Sequence, residues 1–314
     1  MTLSKSPWRR IVASVLAMLV VLLLAASYRY SAAHGIFAAV LDKPAACRTV
    51  PGVAAVTAIS TGPQGIIVAG RDGLFAYANG AVSKLAGTPA DFHPVAISAA
   101  GANLQVVFRR GNGSPAIAMF ALAPGKLSEI GRLSADVLTD PADIVSVDGE
   151  RFYLVNRHAT HSTFGRWLDD AFLVPRAEVL YFDGMKFVKV AERLNSPAGL
   201  ALSADGSHLY VAQELPRALA SFSRSEFIGS LDHPALFALD AAPTKLSLGK
   251  DGSLIVAAWV KRGVGAVYRV RLANGVPQTS ELLWSSKTES VAAAAEVNRR
   301  LLIGTEKRLI DCPQ

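Results

Sequence analysis

Residues 203–212 read SADGSHLYVA, a turn-forming segment that leads directly into an apolar stretch. Turn residues followed by an apolar run with β-type side chains are typical of a turn and the strand after it. The same pattern occurs in five further segments, residues 61–70, 98–108, 146–155, 249–258 and 296–305. The chain is therefore expected to be built from repeated strands.

The spacing of these repeats predicts the architecture. The last four begin at residues 146, 203, 249 and 296, which is 46 to 57 residues apart. Periods near this length with several strands per unit are the mark of β-propeller blades, and the 266 residues from Cys47 to Cys312 divide into six of about 44. The sequence thus predicts an all-β, six-bladed β-propeller, with one short helix at residues 163–174 inserted between strands of one blade.

The composition limits the function classes. Apolar residues make up 51% of the 314 residues and charged residues 18%, which excludes a disordered chain. The net charge is +7, but the basic residues are scattered, whereas nucleic-acid proteins cluster them on one face, so no nucleic-acid partner is expected. The sequence has no P-loop, no dinucleotide-binding glycine motif in strand–helix context and no G-x-S-x-G elbow, so nucleotide cofactors and serine hydrolysis have no support.

The N-terminus carries a membrane signal. Lys5, Arg9 and Arg10 precede an uninterrupted apolar run from Ile11 to Ser27, at the lower edge of the length that spans a bilayer as a helix. Positive charges stay on the cytoplasmic side, so the rest of the chain is expected on the periplasmic or extracellular side of a single-pass protein. The membrane is accordingly the first predicted partner.

Whether this segment is removed is a separate question. A weak small-residue pattern at Ala25 and Ser27 is compatible with signal cleavage, whereas the length of the run and the following tyrosines favour an uncleaved anchor. The predicted organisation is a cytoplasmic basic segment (1–10), a transmembrane or signal-anchor helix (11–27), a tether (28–46) and the propeller (47–314).

The two cysteines, Cys47 and Cys312, lie at the two ends of the predicted propeller. In an oxidising compartment such a pair is most simply a disulfide, and two unrelated buried thiols are the alternative. Neither has a second cysteine nearby, which excludes a CxxC redox motif and a cysteine zinc site. Since propellers commonly close with a blade built from both chain ends, a Cys47–Cys312 bond would lock that closure.

Four segments carry a resemblance to a known family: DIVSVDGERFYLVNRH (143–158), AEVLYFDGMKFVKVAERL (177–194), GLALSADGSHLYVAQEL (199–215) and RLLIGTEKRLIDC (300–312). With them the chain resembles the serum paraoxonase/arylesterase family and, more distantly, the gluconolactonase and strictosidine-synthase types. The resemblance implies a six-bladed propeller with calcium in its central channel that hydrolyses lactones and aryl esters. It also implies that the terminal cysteines match the family's ring-closing disulfide.

The resemblance fails at the calcium ligands. Calcium takes six to eight oxygen ligands, several of them anionic. Where the family has a Glu-Asp pair, an Asn and an Asp-Asn pair, this chain has Ala54 with Ala55, Ala198, and Thr244 with Lys245. Of the family's Asn-Asp-His motif, Asn156 and His158 remain, and Arg157 replaces the aspartate. Asn156 is thus the only clearly retained family ligand, and calcium is disfavoured.

The family's histidine dyad is also missing. Val95 stands where the first histidine is expected, with His93 displaced by two residues, and Arg109 stands where the second is expected. The residues that remain as catalytic candidates are His93, Arg109, His158 and Glu214, and the binding candidates are Asn156, Arg157 and Lys245. No metal site or other cofactor is predicted with them.

Two functions follow from this pattern. One is an ester or lactone hydrolase with altered chemistry, since the resemblance is to a hydrolase family. The other is a non-enzymatic propeller that holds an anionic ligand or a partner protein. The second is favoured because Arg157 and Lys245 supply fixed positive charge where the family binds a cation.

Overall fold

The computed structural model describes residues 7–40, 43, 46–62, 65–89 and 92–313. Residues 1–6, with Lys5 of the predicted basic segment, lie outside the described residues, as do four positions of the predicted tether.

The N-terminal helix α1 spans Pro7–Ala33. Its segment Ile11–Ala33 contains an 18-residue stretch with a mean hydropathy of 2.6 that is not buried in the protein, while Ala33 at the end of the segment is buried. Among the helices of the described residues, α1 alone is long and apolar enough to cross a membrane. An N-terminal signal sequence meets the same criteria of length and composition. The helix extends beyond the predicted span 11–27, so residues 28–33, predicted as tether, are helical.

Six four-stranded antiparallel sheets follow, which confirms the six-bladed propeller. The first three blades are β2 (Ala58–Gly62), β3 (Gly65–Gly70), β4 (Gly73–Ala78) and β5 (Ala81–Lys84); β6 (His93–Ala100), β7 (Asn103–Arg109), β8 (Pro115–Ala123) and β9 (Lys126–Leu133); and β10 (Pro141–Ser146), β11 (Phe152–Asn156), β12 (Ala177–Phe182) and β13 (Phe187–Leu194).

The remaining blades have the same order from the axis outward, except that the chain's first strand ends the last blade. They are β14 (Pro197–Leu202), β15 (His208–Gln213), β16 (Ala218–Arg224) and β17 (Leu231–Ala238); β18 (Ala242–Leu248), β19 (Leu254–Lys261), β20 (Val264–Ala273) and β21 (Val276–Ser286); and β22 (Val291–Val297), β23 (Arg300–Thr305), β24 (Leu309–Pro313) and β1 (Arg48–Val50).

The core lies between neighbouring blades. The middle strands are apolar along their whole length because both of their faces are covered, as in β11, where FYLVN is buried at every position. The outer strand β9 instead alternates, with mostly exposed residues, because one of its faces meets solvent. The apolar run that follows the turn in each sequence repeat is thus the buried second strand of a blade.

Both chain ends build the closing blade, as predicted. β1 pairs with β24, with Arg48 opposite Asp311, and Cys47 is bonded to Cys312. The fully buried Asp311 carboxylate accepts hydrogen bonds from Arg48, Tyr77 and Arg300. The closure is therefore held by backbone pairing, a covalent bond and one buried carboxylate.

The predicted short helix is α2, Thr163–Phe172, and it lies between β11 and β12. Ser162 caps it, since its side chain accepts a hydrogen bond from the Gly165 backbone N–H. Leu173 ends it in the left-handed conformation, with φ of 54°. Its aromatic side chains Phe164 and Trp167 are exposed, so this helix covers one end of the propeller with an apolar outer face.

Candidate functional site

A cavity of about 970 Å³ opens at the α2 end of the propeller, and residues from all six blades line it. We call this cavity the channel mouth. Its walls come from the start of the inner strand of each blade and, in every blade but the fifth, from the end of the second strand or the turn after it. Because every blade contributes to the wall, the mouth lies on the axis of the ring.

A β-bulge shapes the start of five inner strands. A bulge inserts one residue and re-aims its side chain, and bulges are frequent next to active sites. The inserted residues are Val95, Ala142, Ala198, Thr244 and Ala292, and all five line the channel mouth. The fold therefore presents five side chains to the mouth, but four of them carry no polar group.

Several of the positions that the family resemblance assigned to metal and histidine chemistry meet at this mouth, while Ala54 and Asn156 do not line it. Ala55, Val95, Ala198 and Thr244 line it, as does Lys245. The apolar side chains among them offer no oxygen to a calcium ion. At these positions the polar groups are thus the Thr244 hydroxyl and the Lys245 ammonium.

Lys245 and Asp143 form the centre of the site. The Lys245 Nζ lies 2.8 Å from Asp143 Oδ1 and 2.6 Å from the Ala142 carbonyl oxygen. The Lys245 and Asp143 side chains are only 14% and 7% exposed, and the second carboxylate oxygen of Asp143 accepts from the Leu200 N–H. Burial lowers the pKa of Lys245 and raises the pKa of Asp143, and the attraction between the two charges opposes both shifts.

This donor set does not fit calcium. An ammonium group bonds to the carboxylate and the carbonyl oxygen that a hard cation would otherwise take. Within the described part of the chain, no group of three or more His, Cys, Asp or Glu side chains could hold a metal ion. Lys245, rather than Arg157, is thus the buried positive charge at the centre.

Arg157 lies at the rim of the mouth and pairs with Glu214. Its Nη2 donates to Glu214 Oε1 at 3.1 Å, and the Arg157 side chain is 37% exposed. Its backbone N–H donates to the Asp140 carbonyl, which fixes the start of the loop after β11. The pair joins blades three and four above the Lys245 ammonium.

His158 links α2 to the mouth through two carboxylates. Its Nδ1 lies 2.7 Å from Asp140 Oδ2, and its Nε2 lies 3.0 Å from Asp170 Oδ1 on α2. Arg109 and Arg166 also pair with Asp140, at 2.7 and 3.4 Å. Both ring nitrogens are therefore engaged, and the ring ties the helix to blade three.

The charges in this cluster are strongly stabilised. Burial disfavours the imidazolium, but the hydrogen bonds to Asp140 and Asp170 outweigh it and raise the pKa of His158 to about 9. Burial also disfavours the Asp140 carboxylate, yet bonds from His158 and Arg109 lower its pKa to about 2. At neutral pH His158 is a doubly bonded cation, so it is not free to act as a general base.

His158 predicts a specific pH dependence of stability. Its pKa is about 9 in the folded protein and about 6.5 when unfolded, so its stabilising contribution is complete below pH 6.5. That contribution is lost as the pH rises through 9. We expect the difference in unfolding free energy between wild type and His158→Gln to fall by about 2–3 kcal/mol from pH 6 to pH 9.5.

Urea unfolding at several pH values measures this difference. His161→Gln is the matched control, because His161 is exposed and bonds only to a backbone carbonyl. A difference for His158→Gln that stays constant from pH 6 to pH 9.5 would contradict the charged cluster.

Two predicted site residues lie away from the mouth. His93 is exposed at the start of β6, opposite Arg109 in the strand register, and it does not line the cavity. Asn156 is fully buried; its side chain accepts from the Asp140 N–H and donates to the Val137 carbonyl. The structure brings together the other five candidates, Arg109, Arg157, His158, Glu214 and Lys245.

Asp140, Asp143 and Arg166 also belong to the site and were missed by the sequence analysis. A repeated proline could have identified Asp143. Pro94, Pro141, Pro197 and Pro243 each precede the bulged residue of an inner strand. Aligning these prolines places Asp143 of blade three and Lys245 of blade five at the same position of the repeat, two residues after the proline. Nothing local in the sequence singles out Arg166, which reaches Asp140 from α2.

Comparison with known proteins agrees with this architecture. The family model for arylesterase matches residues 92–284. No curated protein matches the sequence. Among solved structures, a gluconolactonase from Xanthomonas campestris superposes with a TM-score of 0.59 at 17% identity, covering 88% of this chain and 98% of that one.

Two further structures are similar. A calcium-binding regucalcin from Agrobacterium tumefaciens has a TM-score of 0.59 at 15% identity, covering 87% of this chain and 95% of that one. A glucose dehydrogenase has a TM-score of 0.58 at 13% identity, covering 85% and 99%. These proteins differ in function, so the structural likeness supports the fold alone.

Proposed function

This chain belongs to the arylesterase family, and from that premise we propose that its channel mouth binds the carboxylate, or the ester carbonyl, of a small ligand without calcium. One observation carries the proposal. The Lys245 ammonium, at the centre of the mouth, donates to the Asp143 carboxylate and the Ala142 carbonyl oxygen, which are the oxygens that a calcium ion would otherwise bind. A fixed cation of this kind supplies the positive charge that a metal supplies elsewhere.

Further cations surround Lys245. Arg157 commits only Nη2 to Glu214, and its other N–H groups have no hydrogen-bond partner in the part of the chain that the structure describes. Arg71 and Lys307 line the same mouth, and neither side chain makes a hydrogen bond or ion pair with a described residue. Since guanidinium groups hold carboxylates in a bidentate geometry, these donors favour a ligand with a carboxylate.

The proposal includes a single-pass anchor with the propeller on the periplasmic side. Three features support it: the apolar segment of α1, the Cys47–Cys312 bond, which is typical of oxidising compartments, and the basic residues that precede this segment in the sequence. Phe164 and Trp167 on α2 are exposed, so the channel-mouth end of the propeller has an apolar surface.

Ester or lactone hydrolysis is the second candidate function, and membership of the arylesterase family favours it. In that reaction Arg157 and Lys245 would stabilise the negative charge that develops on the carbonyl oxygen. Glu214, a carboxylate on the mouth, would take the proton of the attacking water and return it to the leaving alkoxide. His158 would hold α2 in place, because both of its nitrogens are engaged.

Calcium removal and an arginine variant test both candidates. We expect benzoate to bind the protein by calorimetry with the same Kd before and after EDTA treatment, and Arg157→Gln to weaken it at least tenfold. Arg151→Gln is the matched control, because Arg151 pairs with Asp148 outside the mouth. Binding that requires calcium, or that Arg157→Gln leaves unchanged, would overturn the proposal.

The same samples decide between binding and catalysis. Turnover of phenyl acetate that resists EDTA and is lost in Glu214→Gln identifies a hydrolase. Benzoate binding without turnover above the buffer rate identifies a binding protein.

A further inference from the structure

A second cavity adjoins the channel mouth on the side of the membrane helix. It measures about 740 Å³ and lies between the end of α1 and blade five. Thr244, Val291, Ala292 and Glu306 line both this cavity and the mouth. We call it the juxtamembrane groove. Because these four residues line both cavities, the groove lies directly beside the mouth.

The chain segment after α1 forms a fixed wall of the groove. Gly35, with φ of 66°, lies so close to blade five that an added Cβ would be 2.0 Å from the Val260 carbonyl oxygen. Ala38 and Val40 pack on the blade's core, and the rings of His34 and Trp259 lie 6.3 Å apart. This segment, predicted as a tether, is instead docked on the propeller.

The groove and the mouth differ in chemistry. Most of the groove's surface is apolar, and Tyr30, Ile36, Trp259 and Val291 line it together with the cationic side chains of Lys261 and Arg262. Ile36 is 60% exposed and its neighbour Phe37 is 66% exposed, so two adjacent apolar side chains lie uncovered at this end of the groove, as at surfaces that bind apolar groups. The mouth, in contrast, contains the partly unpaired Arg157 and the Lys245 ammonium.

We propose that the ligand is a single-chain amphiphile, a long-chain carboxylate or its ester, whose head binds in the mouth and whose acyl tail lies in the juxtamembrane groove. This rests on the proposed function, because the head occupies the same cationic mouth. The groove begins where the membrane helix ends, so the tail of such a ligand is able to pass from the bilayer to the site. The tail passes the Glu306 carboxylate, which lines both the mouth and the groove. Lys307, the next residue in the sequence, lines the mouth.

Chain length tests the proposal. Burying one methylene group contributes about 0.8 kcal/mol, which corresponds to a three- to fourfold lower Kd. We expect the Kd of the full-length protein in nanodiscs to fall about three- to fourfold per methylene from butanoate to decanoate, after subtraction of titrations into empty nanodiscs. Trp259→Ala and Ile36→Ser should each reduce that slope while leaving the Kd for butanoate unchanged.

Phe227→Ala is the matched control, because Phe227 is 93% exposed and lines neither cavity. It should keep the wild-type slope. If butanoate binds and the Kd does not change with chain length, the groove is not a tail site and the proposed function still stands. A slope that survives in both groove variants also overturns the tail site. If no carboxylate of any length binds, the proposed function itself fails.

Discussion

Lys245→Met should lower the free energy of unfolding by about 3–5 kcal/mol, because it leaves Asp143 as a buried carboxylate without its counter-charge. The expectation rests on burial, since the Asp143 side chain is only 7% exposed and its charge is therefore poorly solvated. The Lys245 ammonium also donates to the Ala142 carbonyl, so both contacts are lost together.

The pair connects three blades. Asp143 belongs to β10, its second oxygen accepts from Leu200 of β14, and Lys245 belongs to β18. Removing the ammonium therefore disturbs three inner strands at the axis of the ring. That position explains why the expected effect exceeds the 0–1 kcal/mol of a typical surface ion pair.

Chemical denaturation of a double-mutant cycle measures the coupling. Lys245→Met and Asp143→Asn should each destabilise the protein, and the double variant should recover most of the loss because neither charge is left unpaired. Lys250→Met is the matched control, since Lys250 is exposed and donates only to Asn298. The picture of a buried ion pair fails if Lys245→Met unfolds at the same denaturant concentration as Lys250→Met.

The second large effect is expected from the closing disulfide. The Cys47→Ser/Cys312→Ser variant should lose on the order of 5 kcal/mol of stability, because the bond closes a loop with a sequence separation of 265. The long loop matters, since chain-entropy estimates of the stabilisation grow with the logarithm of loop length.

The folded ring should persist in this variant. The β1–β24 pairing and the bonds from Arg48 to Asp311 do not depend on the cysteines, so the variant is expected to fold with a lower Tm. Reducing agent should lower the Tm of the wild type to the level of the variant and leave the variant unchanged. An unreduced wild type with the same Tm as the variant would show that the closure does not need the covalent bond.

Several features could be predicted from the sequence because they depend on neighbouring residues. Each repeat, such as SADGSHLYVA, specifies its own turn and its own buried strand. The helix at Thr163–Phe172 follows from a capping serine and an apolar pattern of about three turns. The terminal cysteines indicated the closure, because two ends of a ring must meet.

The partners in the site could not be predicted in this way. Lys245 and Asp143 are 102 residues apart, and neither local sequence indicates that the two side chains form a pair. They meet because bulges at the same step of β10 and β18 aim them at one axis, which exists only once the ring is closed. Asn156 shows that a local motif can also mislead. Its motif suggested a metal ligand, but its buried side chain donates a hydrogen bond to the Val137 carbonyl.

The sequence by itself thus determined the repeated turns and strands and the number of blades, since these follow from residue identity and local periodicity, and its resemblance to a known family implied the loss of calcium ligands. Only the tertiary structure decided that Lys245 fills the centre, that His158 lies between two carboxylates, and that the segment after α1 walls a groove. The physical reason is that one bulged residue reverses the direction of a side chain, and charges from different blades become partners only when burial removes water from between them.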